Sequence, residues 1–243
     1  MPSKDYFKGL PQTEADFVAR YQGRKMQPEE LTSYENWALD FFHQEEFVRE
    51  PYLQMTLQVD ITQALATYRA RFGDNEQASF TSYLMWHLVQ TSQQHHAFRY
   101  RKLSDGWYLF DNLPVFAPIA VGGEARFSEV LLEDVAIQPL DDFFGYYRSV
   151  IKAATFREEF APLPHIIWAC SHFIGNLPNL QFSAFTLHMP RMNFGRPFFY
   201  FGKRYQQGNP TMIPLTIAFD HANLDPFVLS AFMEDFERGI AAN

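Results

Sequence analysis

The chain has 243 residues, 47% of them hydrophobic and 26 of them Phe, with a formal net charge of −8 and one cysteine, Cys170. This length fits one large domain or two small ones, and the apolar content excludes a disordered chain. A lone cysteine excludes an internal disulfide and a thiolate metal cluster and suits a reducing compartment, while the acidic balance disfavours a nucleic-acid surface.

Residues 1 to 33 are polar and mixed in charge, with Pro2, Pro11 and Pro28 scattered through them. They read as an N-terminal extension with one short helix near Glu14–Val18, ahead of a main domain over residues 34–243. Met1–Gly23 lacks an apolar core of signal-peptide length. No run reaches the ~18 apolar residues of a membrane-spanning helix, so a cytoplasmic chain with no membrane partner is expected. From Ser33, Trp37, Phe41 and Phe42 sit at helical spacing and predict a helix to about Glu46.

Residues 52–60 alternate Leu53, Met55, Leu57 and Val59 with Gln54, Thr56, Gln58 and Asp60, the pattern of a strand with one buried face. Asp60 is placed to cap a helix through Ile61, Ala64, Leu65 and Tyr68 that Gly73 ends. A second helix starts near Ser79, with His87 on its apolar stripe as a core residue. Phe98–Arg101 and Trp107–Phe110 flank Ser104-Asp105-Gly106, a hairpin signal. Strands are expected over 114–121 and 127–132, and a helix over 140–156.

The last third reads as strands over 166–173, 181–188, 197–204 and 212–220, then a helix from Pro226 to Ile240. Helices and strands mix without strict alternation, which argues for a mixed or antiparallel sheet covered by helices. No G-x-G-x-x-G or Walker-type loop occurs, so nucleotide-fold chemistry has no sequence support. The histidines show no metal-ligand spacing, and no metal is expected.

One motif carries chemistry. Phe219-Asp220-His221-Ala222-Asn223-Leu224-Asp225 joins the last strand to the last helix. A histidine at a strand end, with a carboxylate four residues on at a helix start, is a base-and-anchor arrangement suited to acyl transfer. An imidazole with an ordinary pKa of ~6.5 is largely neutral, and able to accept a proton, at neutral pH.

From about Trp37 onward the chain resembles the chloramphenicol acetyltransferases. The resemblance rests on five collinear segments: Thr56–Thr62, Phe80–Arg99 ending in His96-Ala97-Phe98-Arg99, Phe201–Asn209, Pro214-Leu215-Thr216-Ile217, and the His221 motif. Asp220-His221 is also similar to the dihydrolipoyl acyltransferase catalytic domains, so a lipoyl or carrier-protein thioester is a lower-ranked donor.

The resemblance implies an α/β (α+β) two-layer sandwich, a mixed sheet flanked by helices on one side, assembled as a homotrimer with active sites between subunits. It implies acetyl-coenzyme A as co-substrate and a hydroxyl or amine of a small apolar or aromatic acceptor, chloramphenicol being one candidate.

His221 would be the general base. Asp225 would be a buried structural carboxylate paired with an arginine. Leu39 stands where that arginine is expected, leaving Arg99, Arg101 or Arg191 as substitutes, and Pro226 supports the simpler reading of Asp225 as a helix N-cap.

Gly175 stands where the family has the serine that stabilises the oxyanion. The Gly175 backbone N–H, the Asn176 amide, the Tyr200 hydroxyl or a water are its possible replacements. Lys203 would meet a coenzyme A phosphate, with Arg204 and Tyr200 also grouped at the cofactor and Ser79 in place of a second lysine. Phe185, Leu187 and Met189, alternating along one strand, would line the acceptor pocket.

The departures at Leu39, Ser79, Gly175 and Pro226 support a rival reading: a family member with impaired catalysis that binds a small molecule.

Overall fold

The computed structural model describes residues 9–156, 160–188 and 194–242. It contains seven α-helices: α1 (Glu14–Arg20), α2 (Ser33–Phe41), α3 (Thr62–Phe72), α4 (Phe80–Gln94), α5 (Leu140–Thr155), α6 (His165–Cys170) and α7 (Pro226–Ala241). Its strands are β1 (Gly23–Lys25), β2 (Tyr52–Asp60), β3 (Tyr100–Leu103), β4 (Gly106–Phe110), β5 (Val115–Gly122), β6 (Arg126–Leu132), β7 (His172–Asn176), β8 (Phe198–Phe201), β9 (Tyr205–Gln206) and β10 (Thr211–Asp220). Among the described residues no helix is long and apolar enough to cross a membrane.

The main sheet has seven strands in the order β2-β10-β8-β7-β5-β6, with β9 beside β10. It is mixed: β7 runs parallel to both β5 and β8, and the other pairs are antiparallel. Strand parity divides the core into two layers. Ile213, Leu215, Ile217 and Phe219 of β10, Phe199 and Phe201 of β8, and Ile174 of β7 pack with residues of α3, α4, α5 and α7. The alternate residues Phe116, Phe173, Phe198 and Ala218 face a second cluster with Phe17 of α1 and Ile166 and Ile167 of α6. Four helices thus cover one face, as expected, and α1, α6 and the small β1-β4-β3 sheet cover part of the other.

Local chemistry explains most boundaries. Asp60 Oδ1 accepts from the Thr62 backbone N–H at 2.8 Å and so starts α3, and Ser79 caps α4 by accepting from Ser82 N–H at 3.1 Å. The helix from Ser33 is shorter than its spacing predicts and ends at Phe41.

Two strand expectations are corrected. Residues 165–170 form α6 behind Pro164, and the strand starts only at His172. A short apolar run does not by itself separate a strand from a buried helical turn. Residues 181–188 form no strand. Their backbone instead bonds to side chains of β2: Gln54 Nε2 donates to Phe185 O, and Gln54 Oε1 accepts from Leu187 N–H at 2.9 Å.

The N-terminal segment is tied to the rest of the chain. Phe17 and Tyr21 are buried, β1 extends the small sheet through β4, and Arg20 and Tyr21 both donate to Glu133.

Candidate active site

β10 ends at Asp220, and a tight turn leads to α7. Leu224 N–H donates to Asp220 O at 3.0 Å, and Ala222 N–H donates to Asp220 Oδ1 at 2.9 Å. Within that turn His221 is half-buried. Its backbone N–H donates to Pro51 O at 2.9 Å, its ring Nδ1 lies 3.1 Å from Leu224 O, and its ring centroid is 4.3 Å from that of Phe42.

A carbonyl oxygen can only accept, so Nδ1 carries a proton, and in the neutral ring the lone pair is on Nε2. Nε2 has no hydrogen-bond partner among the described residues.

Asp225 is the N-cap of α7: its Oδ1 accepts from Phe227 N–H at 2.8 Å and from Val228 N–H at 2.9 Å, with Pro226 at the first helical position. The expected arginines are engaged elsewhere. Arg101 is buried and donates to the carbonyls of Cys170, Phe98 and Tyr100, and Arg99 bonds Phe110 O and Asp111. Leu39 is core, and its carbonyl accepts from Trp107 Nε1. Arg191 lies outside the described residues.

Gly175 lies in β7 opposite Tyr200 of β8. A β-carbon built on Gly175 would be 2.3 Å from Tyr200 Cε1 and 2.9 Å from Cζ, so the phenol ring occupies the space a side chain would need. Tyr200 packs edge-on against Phe185 at 5.1 Å and lies 5.3 Å from Phe173, and burial pushes its phenol up from the ordinary value. The same level of the sheet holds Thr216, which pairs with Tyr200 and whose Oγ1 is 2.8 Å from Thr56 Oγ1. Phe185 and Leu187 approach this face as half-buried side chains of the irregular segment, and Met189 lies outside the described residues.

Lys203 and Arg204 follow β8 and are exposed. They line a cleft of about 430 Å³ with Ser79, Phe80, Thr81, Asn176, Pro178 and Gly202. The Arg204 guanidinium sits 5.2 Å over the Phe80 ring, and Asn176 Nδ2 donates to Thr81 Oγ1 at 3.0 Å. The N-terminus of α4, a 15-residue helix, opens into this cleft. Two cationic side chains and the positive end of a helix dipole favour an anionic ligand. Tyr200 does not line this cleft; it faces the opposite layer.

The sites stand apart within one chain. Along β10, Thr216 marks the level of Tyr200, and His221 lies five residues further, roughly 16 Å at a strand rise of about 3.3 Å per residue.

Two side chains beside the His221 turn, His43 and Lys102, have no signal in the sequence. His43, just past α2, has Nε2 2.7 Å from Asp220 Oδ2 and Nδ1 2.8 Å from Lys102 Nζ. The available signal was Asp220 itself, a charge closing an otherwise apolar strand.

Comparison with known proteins places this arrangement. The family model for chloramphenicol acetyltransferase matches residues 33–237. Chloramphenicol acetyltransferases of Proteus mirabilis and Escherichia coli are 29% and 30% identical over 86 residues. The matched part is 35% of this chain in each case, and 40% and 39% of those relatives' length.

Among solved structures, a chloramphenicol acetyltransferase superposes with a TM-score of 0.74 at 19% identity, covering 90% of this chain and 99% of its own. The dihydrolipoamide acetyltransferase of Azotobacter vinelandii gives 0.64 at 16% identity, covering 79% and 82%. The cubic core of a pyruvate dehydrogenase complex gives 0.62 at 15% identity, covering 96% of each. The fold is therefore that of these acyltransferases, and the chain belongs to the chloramphenicol acetyltransferase family.

Proposed function

We propose that this protein transfers an acetyl group from acetyl-coenzyme A to a hydroxyl or amine of a small apolar or aromatic acceptor. The observation that carries this reading is the state of His221: Nδ1–H is spent on Leu224 O, and Nε2 is left as an acceptor on a half-buried ring. In the reaction, Nε2 takes the proton from the acceptor as its oxygen or nitrogen attacks the thioester carbonyl. The C–S bond then breaks, and the leaving coenzyme thiolate takes the proton held on His221 Nε2, which returns the ring to its neutral form.

Lys203, Arg204 and the start of α4 hold the phosphates of coenzyme A; the coenzyme supplies the activated acyl group. Tyr200 is the donor we assign to the developing oxyanion, since its ring fills the space above Gly175.

The separation of His221 from the Tyr200 level supports a homotrimer in which the base of one subunit meets the Tyr200 face of the next. Exposed apolar surface around the base supports the same reading: Trp37 is 49% exposed, and Phe227, two residues past Asp225, is 87% exposed. The single buried Cys170 fits a cytoplasmic setting.

The test supplies acetyl-coenzyme A with a panel of aromatic alcohols and amines, chloramphenicol included, and follows thiol release. Release is expected to fall by about 10²–10⁴ in His221→Ala, the usual worth of a positioned base. Unchanged release in that variant would eliminate His221 as the base.

The glycine at 175 also favours a second reading, a binding protein without turnover. A ligand that raises the melting temperature while no acceptor reacts would select it.

A further inference from the structure

We propose that Lys102, His43 and Asp220 form a positioning chain that sets the tautomer of His221. The catalytic consequence rests on His221 being the base; the tautomer itself does not. Asp220 is fully buried and the His43 side chain is 6% exposed, so the pair is shielded from water.

A carboxylate only accepts and an ammonium only donates. His43 therefore donates from Nε2–H to Asp220 Oδ2 and accepts at Nδ1 from Lys102, one neutral ring bridging a cation and an anion. Trp107 packs edge-on to that ring at 5.3 Å while donating to Leu39 O in α2, which holds His43 in place.

The chain continues to the base through backbone. With Oδ2 held by His43, Asp220 Oδ1 is aimed at Ala222 N–H. That bond, with Leu224 N–H on Asp220 O, shapes the turn that brings Leu224 O to His221 Nδ1. The carbonyl there fixes the Nδ1–H form, whereas a free imidazole has no such constraint. Phe42, adjacent to His43, packs on the His221 ring, so one short segment grips both Asp220 and His221.

The arrangement makes a specific demand on donors and acceptors. Asp220→Asn puts an amide N–H against either His43 Nε2–H or Ala222 N–H, a donor facing a donor in both orientations. Adding Lys102→Gln lets His43 invert its tautomer, accept from the asparagine and donate to the glutamine oxygen. His43→Gln can keep one or both bonds; His43→Leu keeps neither.

The experiment is ¹⁵N NMR of the histidine rings in the full-length protein, with His221 assigned through His221→Gln, alongside steady-state kinetics. Wild type is expected to show His221 protonated at Nδ1. His43→Leu and Asp220→Asn are expected to shift it toward the Nε2–H form. Their kcat should fall by about 10- to 100-fold, a large part of a general base's contribution, with KM for acetyl-coenzyme A unchanged. His43→Gln and the double variant Asp220→Asn/Lys102→Gln are expected to recover most of both signals.

If His43→Leu fails to fold, the near-isosteric asparagine and glutamine variants still decide. A folded Asp220→Asn or His43→Leu protein with the wild-type tautomer at His221 overturns the proposal. An inactive wild type with Nδ1–H on His221 sinks the acyltransferase reading and leaves the positioning chain standing.

Discussion

The Tyr200 ring lies where a side chain at Gly175 would have to go: a β-carbon there would meet Tyr200 Cε1 at 2.3 Å. The two residues are cross-strand partners in the parallel β7/β8 pair, and the Tyr200 ring packs against Phe173 and Phe185, which limits its room to swing aside. Gly175→Ser is therefore expected to destabilise the protein by about 1–3 kcal/mol through overpacking. Combining it with Tyr200→Ala should recover part of that loss, because the two positions are directly coupled. Urea midpoints for the four proteins of this cycle check it; strict additivity would show that the cost of Gly175→Ser does not come from the Tyr200 ring.

Tyr200→Phe removes only a hydroxyl. If that hydroxyl donates to the developing oxyanion, kcat should fall by about 10²–10³ while the melting temperature changes little. A full-rate Tyr200→Phe enzyme would hand the role to the Gly175 backbone N–H or the Asn176 amide.

Lys203 stands exposed at the mouth of the α4 cleft, with no salt-bridge partner among the described residues. Removing a charge-assisted bond of about 1.5 kcal/mol corresponds to roughly a tenfold change. Lys203→Ala should raise KM for acetyl-coenzyme A by about that factor, with kcat preserved and the difference shrinking at high salt. An equal fall in kcat would place Lys203 at the reacting centre instead.

Asp225 caps α7 through two backbone N–H groups. Asp225→Ala should cost about 1 kcal/mol of stability, the usual worth of an N-cap, and Asp225→Asn much less. Because α7 begins directly behind His221, the proposed base, the Ala variant should lose some activity in parallel with helix fraying. Loss of all turnover in a stable Asp225→Asn protein would restore an electrostatic role for this carboxylate.

Acid should weaken the core through its buried histidines. Burial holds His87 down at about 4 against an ordinary 6.5, and His172, fully buried, well below its ordinary value. Between those limits the unfolded chain binds protons that the folded chain refuses, so stability falls as pH drops from 6.5 toward 4. His87 alone accounts for about 1–3 kcal/mol over that span. His87→Leu should flatten the dependence of the urea midpoint on pH between 7 and 4.5; an unchanged slope would show that His87 titrates normally.

Much of the site was legible in local pattern. The His221 turn, the Asp225-Pro226 helix start, the Ser79 cap and the alternation of β2 are all set by neighbours within four residues, where propensity and capping chemistry act. The segment 181–188 has the alternation of a strand, but its apolar residues follow an irregular path held by Gln54, more than a hundred residues earlier. The run 166–173 is ambiguous in sequence because an apolar octet satisfies a buried helix as well as a buried strand.

The sequence by itself determined a mixed sheet with helices, a histidine at a strand end, a capped helix behind it and a cationic pair after β8. Only the tertiary structure decided what those groups meet. It packed the Tyr200 ring into the space beside Gly175, engaged Arg99 and Arg101 away from Asp225, and drew His43 and Lys102 to Asp220. The reason is range. Caps and alternation are fixed by bonds a few residues apart, whereas the pairing of a buried charge is settled by whichever distant side chain the packed layers bring within 3 Å.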